Sequence, residues 1–519
     1  MPANPEADPG QASLVAFLSE GRAYGLPGAP VERIATHAAF VFLVGDRAYK
    51  MKRAVRYSFL DFSTLERRRA ALEAELRLNR RTAPTLYHRV VPVTREKDGS
   101  LAINGRGKVV EWLLEMRRFD QEALLDRMAQ RGTLDAAIID KLAIEIAEFH
   151  ALAPPTPERG GHAGMRRVIE GNARDLETID GPVFEMSAVV DLNRDSRREL
   201  ERRRDLLDER RIAGRVRHCH GDLHLGNVVL LDGRPVLFDC IEFDDDLASI
   251  DTFYDLAFLL MDLEHRRLRP LAQRLLTGYL DATWDDQGVA LLPLFLSCRA
   301  AIRAKVLGFE LALEKQAERR EQTIAEARDY LARALDFLRP PPPRLIAIGG
   351  VSGTGKSTLA ARLAPSLGAA PGAVVLRSDV IRKKLFGLAP TERLHPGAYR
   401  PEVSRRVYRI LGERAAALIG GGHTAVVDAV FLNPTQRTEI EEVARQAGVP
   451  FVGLWLQAPP ELLERRVRER YGDASDATAE VVRGQLKARP GPITWQRIDA
   501  SGSSEAILTA ARQVLHVQR

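Results

Sequence analysis

Cysteine is scarce. Cys219, Cys240 and Cys298 are widely spaced and form no CxxC pair. No disulfide framework or cysteine zinc site can be read from them, and a reducing, cytoplasmic setting is expected. Aromatic residues make up only 6%, few for a surface that stacks on single-stranded nucleic acid. Excess charge is also small. A net +6 over 519 residues suits a protein that handles anionic phosphates, but is a weak footprint for nucleic acid. Apolar runs such as 291–298 are too short to cross a bilayer, so no membrane partner is expected. The start MPANPEADPG lacks the basic and apolar stretches of a signal peptide, and no solenoid-type repeat is visible. What is present is a folded-protein composition, 45% apolar and 28% charged, on a chain long enough for two or three cores.

Four consecutive prolines at 340–343 mark the sharpest boundary. They offer no backbone donors and favour a stiff extended spacer. A charged, helix-prone stretch over 312–338 precedes them, and the apolar run RLIAIGG comes directly after. The expected organisation is a flexible segment over 1–25, one domain over 26–339, the spacer, and a second domain over 344–519. In the first domain, VFLV, the turn Gly45-Asp46 and AYKMK read as a hairpin. Residues 64–81 are helical in composition, and VVEWLLEM at 109–116 reads as a further strand. Helical patterns fill 134–213, short strands return over 215–243, and helices run on to the prolines. A small β-rich lobe followed by a helical one is the outline of a protein-kinase-like fold.

The second domain opens with GVSGTGKS at 350–357, which fills GxxxxGK[ST] between an apolar strand (345–348) and a helix-forming stretch, STLAARLA. Gly350, Gly353, Thr354, Gly355 and Thr358 belong to a loop whose N–H groups can wrap phosphates at a helix N-terminus. Lys356 supplies a point charge and Ser357 a hydroxyl for Mg2+. Downstream, AVVLRSDVIRKKL carries Asp379 and Arg382, TAVVDAVFLNPTQR carries Asp428, and LLERRVRERYGDASDA carries Arg466 and Arg470 at i and i+4. Bland readings stand beside each: Asp379 as a helix N-cap, the two arginines as a solvated helix face.

In the first domain, HGDLHLGN sets Asp222 and Asn227 five residues apart, the spacing of a kinase catalytic loop. Seventeen residues after Asp222, PVLFDC ends in Asp239; a short hairpin between them brings Asp239 back beside Asn227. His220 and His224 read as braces of the loop. The small lobe owes a phosphate-binding lysine and a helix glutamate to orient it. Lys50 and Lys52 share one strand face, and Glu75 has Glu73 as rival; Lys50 and Glu75 are the choice. No GxGxxG loop precedes the lysine.

Two resemblances gather these residues. HGDLHLGN and FDCIEFDDDLASIDTFYDLAFLL are similar to segments of the aminoglycoside phosphotransferase family. Residues 344–519 resemble the small P-loop kinases: polynucleotide, gluconate and zeta-toxin-like kinases and chloramphenicol phosphotransferase. They imply a bilobal kinase-like fold followed by a P-loop NTPase α/β domain with a parallel sheet, thus α+β joined to α/β. They also imply an enzyme using ATP and Mg2+. In the first domain Asp222 would be the catalytic base, and Asn227 and Asp239 would hold Mg2+. In the second Asp379 would be the base, Asp428 would sit near Mg2+ with Ser357, Arg382 would bind the acceptor, and Arg466 and Arg470 would be lid arginines.

Small-molecule hydroxyls are the expected acceptors. Glu242, Asp244, Asp245, Asp246 and Asp251 would suit a polycation, Arg299, Arg303 and Lys305 an anion, and either set could be a solvated face. Two other readings stay open for the second domain: a nucleotide-sensing module for the first, or a kinase for nucleic-acid 5′-hydroxyls.

Overall fold

The computed structural model describes residues 9–517 except 37, 57–59, 180–182, 312–315, 390, 470–473 and 489. The chain divides into two compact units: Met1–Asp262 with Cys298–Ala334, and Leu263–Ser297 with Leu335–Arg519. Among the described residues no helix is long and apolar enough to cross a membrane.

The first unit begins with an antiparallel sheet of β1 (Glu32–Ala35), β2 (Ala39–Val44), β3 (Arg47–Lys52), β4 (Tyr87–Arg95), β5 (Leu101–Ile103) and β6 (Lys108–Arg117) in the order β1-β2-β3-β6-β4-β5. In β2, Phe40, Phe42 and Val44 face one core and Leu43 another, so its apolar run needs cover on both sides. One cover is the helix Leu65–Asn79, started by Thr64, whose side chain accepts from Arg67 N–H, a cap worth about 1 kcal/mol. The other is the helix Pro9–Leu18, which buries Leu14, Val15 and Leu18 against Phe40, Phe42 and Met51. The expectation of a flexible segment over 1–25 therefore fails for residues 9–25. Gln11 also donates to Glu111 (2.8 Å) and to the Lys52 carbonyl (3.0 Å).

The remainder of this unit is mainly helical, with two small strand pairs, β7 (Val216–His218) with β10 (Ser249–Asp251), and β8 (Val228–Leu231) with β9 (Arg234–Leu237). The β8–β9 turn is Asp232-Gly233, both with positive φ, the dipeptide a two-residue hairpin favours.

The second unit holds β11 (Leu345–Gly349), β12 (Val374–Arg377), β13 (Ala425–Asp428), β14 (Phe451–Gln457) and β15 (Gln496–Asp499), all parallel, in the order β12-β13-β11-β14-β15. Continuous apolar strands such as β11 fit a sheet buried on both faces. Edge strand β12 is flanked by the helix Arg269–Thr283: Gln273 Nε2 donates to the Ala373 carbonyl at 2.8 Å, and Arg269 Nε to the Pro365 carbonyl at 2.7 Å. Just beyond, Asp286 takes Arg414 in a two-point pair of 2.8 and 2.9 Å, both side chains almost fully buried. Thus Leu263–Ser297, which the proline boundary assigns to the first domain, packs with the P-loop unit.

Removing one partner of a buried ion pair strands the other charge, at a cost of about 3–5 kcal/mol. Asp286→Ala should therefore destabilise the second unit by that order, read as earlier cleavage of the P-loop unit in pulse proteolysis across a urea series. Unchanged cleavage would show that Arg414 finds other compensation.

Candidate active sites

In the first unit the catalytic-loop residues converge because the β8–β9 hairpin folds back on itself. Val228 pairs with Leu237, and Phe238 N–H donates to the Asn227 carbonyl at 3.0 Å, which sets Asp239 beside Asn227. Asn227 Nδ2 donates to the Asp222 carbonyl and to Asp222 Oδ2, both at 2.9 Å. Its amide nitrogen is thus turned to Asp222, which directs its Oδ1 the other way. The loop hangs on buried Asp255, whose two oxygens accept from His220 N–H (3.1 Å) and Gly221 N–H (2.9 Å), with His150 Nε2 3.0 Å away. His220 braces as expected, its Nε2 2.9 Å from the Phe238 carbonyl.

His224 does more than brace. Gly226 N–H donates to its Nδ1 at 3.1 Å, so Nε2 carries the proton and faces Asp222 Oδ2 at 3.4 Å. Burial pushes the Asp222 carboxyl up, but His224, with His220 and Arg299 behind it, holds it well below the usual carboxylate range. These neighbours favour the ionised carboxylate of Asp222.

Lys50 and Glu75 meet at 2.7 Å, and Lys50 Nζ also contacts Asp239 at 2.6 Å. Rival Glu73 is exposed and paired with Arg69. Rival Lys52 is not excluded but recruited: it lies 2.7 Å from the second oxygen of Glu75 and 2.5 Å from Glu242. Burial pushes the Lys50 ammonium down; Asp239 and Glu75 more than offset this and hold it well above its ordinary value. The network Asp239–Lys50–Glu75–Lys52–Glu242 contains three carboxylates against two ammonium groups. With Asp222 nearby it carries surplus negative charge on hard oxygen donors, which fits a divalent cation such as Mg2+ held by Asn227 and Asp239. Sequence reasoning left Glu242 in an undifferentiated acidic cluster; its pairing with Lys52 spans 190 residues.

In the second unit the P-loop follows β11. At Gly350, φ is +140°, and a Cβ would lie 2.4 Å from the Leu456 carbonyl oxygen; at Gly353, φ is +89°. Only glycine serves at such positions. A cleft of about 700 Å³ is lined by Gly353, Gly355, Lys356, Ser357 and Thr358, together with Asp379, Arg382, Asp428 and Arg466. Thr354 turns inward, its hydroxyl donating to the Val351 carbonyl at 2.8 Å. Ser357 Oγ donates to Asp428 Oδ2 at 2.5 Å, because β11 and β13 run parallel and in register. These hard oxygen donors suit Mg2+.

Burial and the Asp428 charge push the Asp379 carboxyl above its ordinary value, against Arg377 and Lys356. Asp379 sits in the first turn of the helix Ser378–Leu385, where no N-cap bond to its side chain is made; the cap position is Arg377. Arg382 is almost fully buried, donates to the Ala398 carbonyl at 2.7 Å and stacks on Tyr399 at 4.9 Å. Arg466 reaches the cleft, but its guanidinium donates to the Ala500 carbonyl at 2.8 Å. Arg470 lies outside the described residues. Sequence reasoning missed Arg377, whose Nη2 lies 3.1 Å from Ser357 Oγ. Its position at the end of β12, in register with Asp428, was the available signal.

Comparison with known proteins matches two separate stretches of the chain to two different family models. Residues 345–492 match the model of an AAA domain. An uncharacterized protein of Mycobacterium tuberculosis (strain ATCC 25618 / H37Rv) is 30% identical over 93% of this chain and 94% of its own. The adenylyl-sulfate kinase of Myxococcus xanthus (strain DK1622) is 33% identical over 25% of this chain and 66% of its own. A choline/ethanolamine kinase family protein from Mesorhizobium loti superposes with a TM-score of 0.39 at 13% identity, covering 63% of this chain and 99% of that one. Residues 31–292 match the model of the phosphotransferase enzyme family, and the chain belongs to that family.

Proposed function

We propose that this chain is an ATP- and Mg2+-dependent phosphotransferase with two active sites, each passing a γ-phosphoryl group to a hydroxyl of a small molecule. The observation that carries the reading is the assembly of Asp222, Asn227, Asp239, Lys50 and Glu75 from segments far apart in sequence. No structural demand of the lobe alone explains it.

In the first site Lys50, oriented by Glu75, binds phosphate oxygens. Asn227 and Asp239 would hold Mg2+, which when bound would neutralise charge on the phosphates. Asp222 receives the proton of the acceptor hydroxyl as its oxygen bonds to the γ-phosphorus. The bond to the β,γ-bridging oxygen breaks, and ADP departs. In the second site the P-loop N–H groups and Lys356 cradle the phosphates, and Ser357 and Asp428 would hold the metal. Asp379 serves as base beside Arg382, and Arg466 reaches the same cleft. The Myxococcus match supports kinase chemistry in this region. A sensor would need no base in the cleft, so Asp379 favours turnover over regulation. A nucleic-acid acceptor finds no support in the modest net charge.

With radiolabelled ATP and a metabolite extract, Asp222→Asn should abolish one set of labelled products by about 100-fold or more, and Lys356→Ala another. EDTA should remove both. Labelling unaffected by either substitution refutes the reading. Survival of first-site turnover in Asp379→Ala together with its loss in Lys356→Ala would instead mark the second site as a sensor.

The two bases should also separate by pH. Asp222 is held below the usual carboxylate range and Asp379 above it, and each must be ionised to accept a proton. As pH falls, second-site activity (measured in Asp222→Asn) should drop first, and first-site activity (measured in Lys356→Ala) should persist to lower pH. Coincident acid limbs in kcat/KM profiles would contradict these assignments.

A further inference from the structure

The acidic residues that would suit a cationic acceptor are all engaged elsewhere. Glu242 pairs with Lys52 at 2.5 Å, and Asp251 with buried Arg210 at 2.8 Å. Asp246 pairs with Arg159 at 2.7 Å, and Asp245 lies 3.7 Å from the same guanidinium. Asp244 caps a short helix, accepting from Asp246 N–H at 2.8 Å. Four of the five thus already face a cation of this chain, and the fifth caps a helix.

The basic residues of the helix Leu292–Glu310 have a different fate. Lys305 is drawn off by Asp175 at 2.7 Å. Arg299 is buried; its guanidinium stacks on Tyr254 at 3.9 Å and Phe258 at 4.7 Å, and its Nη2 has no hydrogen-bond partner among the described residues. Phe258 in turn packs edge-on against His224 at 5.5 Å, and His224 lies 3.4 Å from Asp222. Arg303 is one turn further along the same helix face. It is half-buried, stacked at 5.8 Å on Tyr330, and forms no ion pair among the described residues. The carboxylates near it are Asp262 and Asp222. Asp262 already accepts Leu225 N–H at 3.0 Å, and Asp222 is engaged by His224 and Asn227.

We infer that the acceptor of the first site is an anionic alcohol, a hydroxyl compound bearing a carboxylate or phosphate that Arg303 binds while the hydroxyl faces Asp222. This rests on the reading of Asp222 as base of that site and adds the class of substrate. An ammonium-bearing acceptor would meet Arg303 and the Arg299 guanidinium, whose neighbouring carboxylates Asp262 and Asp222 are already engaged by Leu225 N–H, His224 and Asn227, and like charges brought together suppress binding. In the transfer the alcohol oxygen gains the phosphoryl group, its proton goes to Asp222, and the anionic group stays unchanged on Arg303.

The test uses the full chain carrying Lys356→Ala, so that ADP release reports the first site. Glycerate and glucuronate probe a carboxylate, glycerol phosphate a phosphate; glycerol, choline and kanamycin are the neutral and cationic comparators. At least one anionic alcohol should stimulate ADP release over the acceptor-free rate, and choline and kanamycin should not. Adding Arg303→Gln should raise KM for that alcohol about tenfold or more with a smaller change in kcat, and Arg303→Lys should restore part of it. Lys305→Gln should leave the preference unchanged, and a circular-dichroism melt verifies that each variant is folded. Stimulation by choline or kanamycin, or by no anionic alcohol, overturns the inference, as does an unchanged KM in Arg303→Gln. Adding Asp222→Asn separates the two claims. Stimulated release that survives it refutes Asp222 as base, whatever the acceptor class.

Discussion

Five charged side chains form one network in the small lobe, alternating in sign from half-exposed Asp239 through Lys50, Glu75 and Lys52 to Glu242. Each buried charge would be prohibitive alone; together they offset one another. Glu75 is the pivot, fully buried with an oxygen for each lysine. In the proposed first site the network would set where phosphate and metal bind, because Asp239 at its open end lies beside the loop that carries Asp222 and Asn227. The rest of the first unit serves that placement: Asp255 pins the loop backbone, the β8–β9 hairpin returns Asp239, and the helix Leu65–Asn79 presents Glu75.

Both units solve the same chemical problem by different local means. The P-loop presents backbone N–H groups at a helix N-terminus, where glycines allow close approach. The kinase-like unit presents side chains gathered from strand, helix and hairpin. In each proposed site a carboxylate is assigned as base, and the surroundings shift the two in opposite directions. His224 pulls Asp222 towards ionisation, whereas burial and Asp428 work against it in Asp379.

Local chemistry was legible in the sequence wherever a motif is contiguous. The P-loop, the Asp222–Asn227 spacing and the strand ending in Asp239 need only neighbours along the chain. Lys50 was legible through strand alternation, and Glu75 needed the choice between two helix positions, one of which proves exposed. Long-range partners were not legible. Nothing in AYKMK says that Lys52 finds Glu242, and nothing in the first twenty residues announces a helix. The clue lay elsewhere, in a β2 run apolar on both faces and therefore requiring two covers. Arg377 and the tautomer of His224 likewise depend on register and backbone geometry.

The placement of Leu263–Ser297 has a consequence for how the molecule is made. During synthesis this segment leaves the ribosome well before β12, the strand it will flank, so Gln273 must wait for the Ala373 carbonyl it will bond. An intermediate with that face uncovered is a natural target for chaperones. The P-loop unit is completed by chain that precedes the prolines, so a cut at the obvious linker does not yield an intact enzyme half. Its edge would be left open to pairing with another copy. For this chain, dissecting the two chemistries calls for point substitutions within one continuous polypeptide.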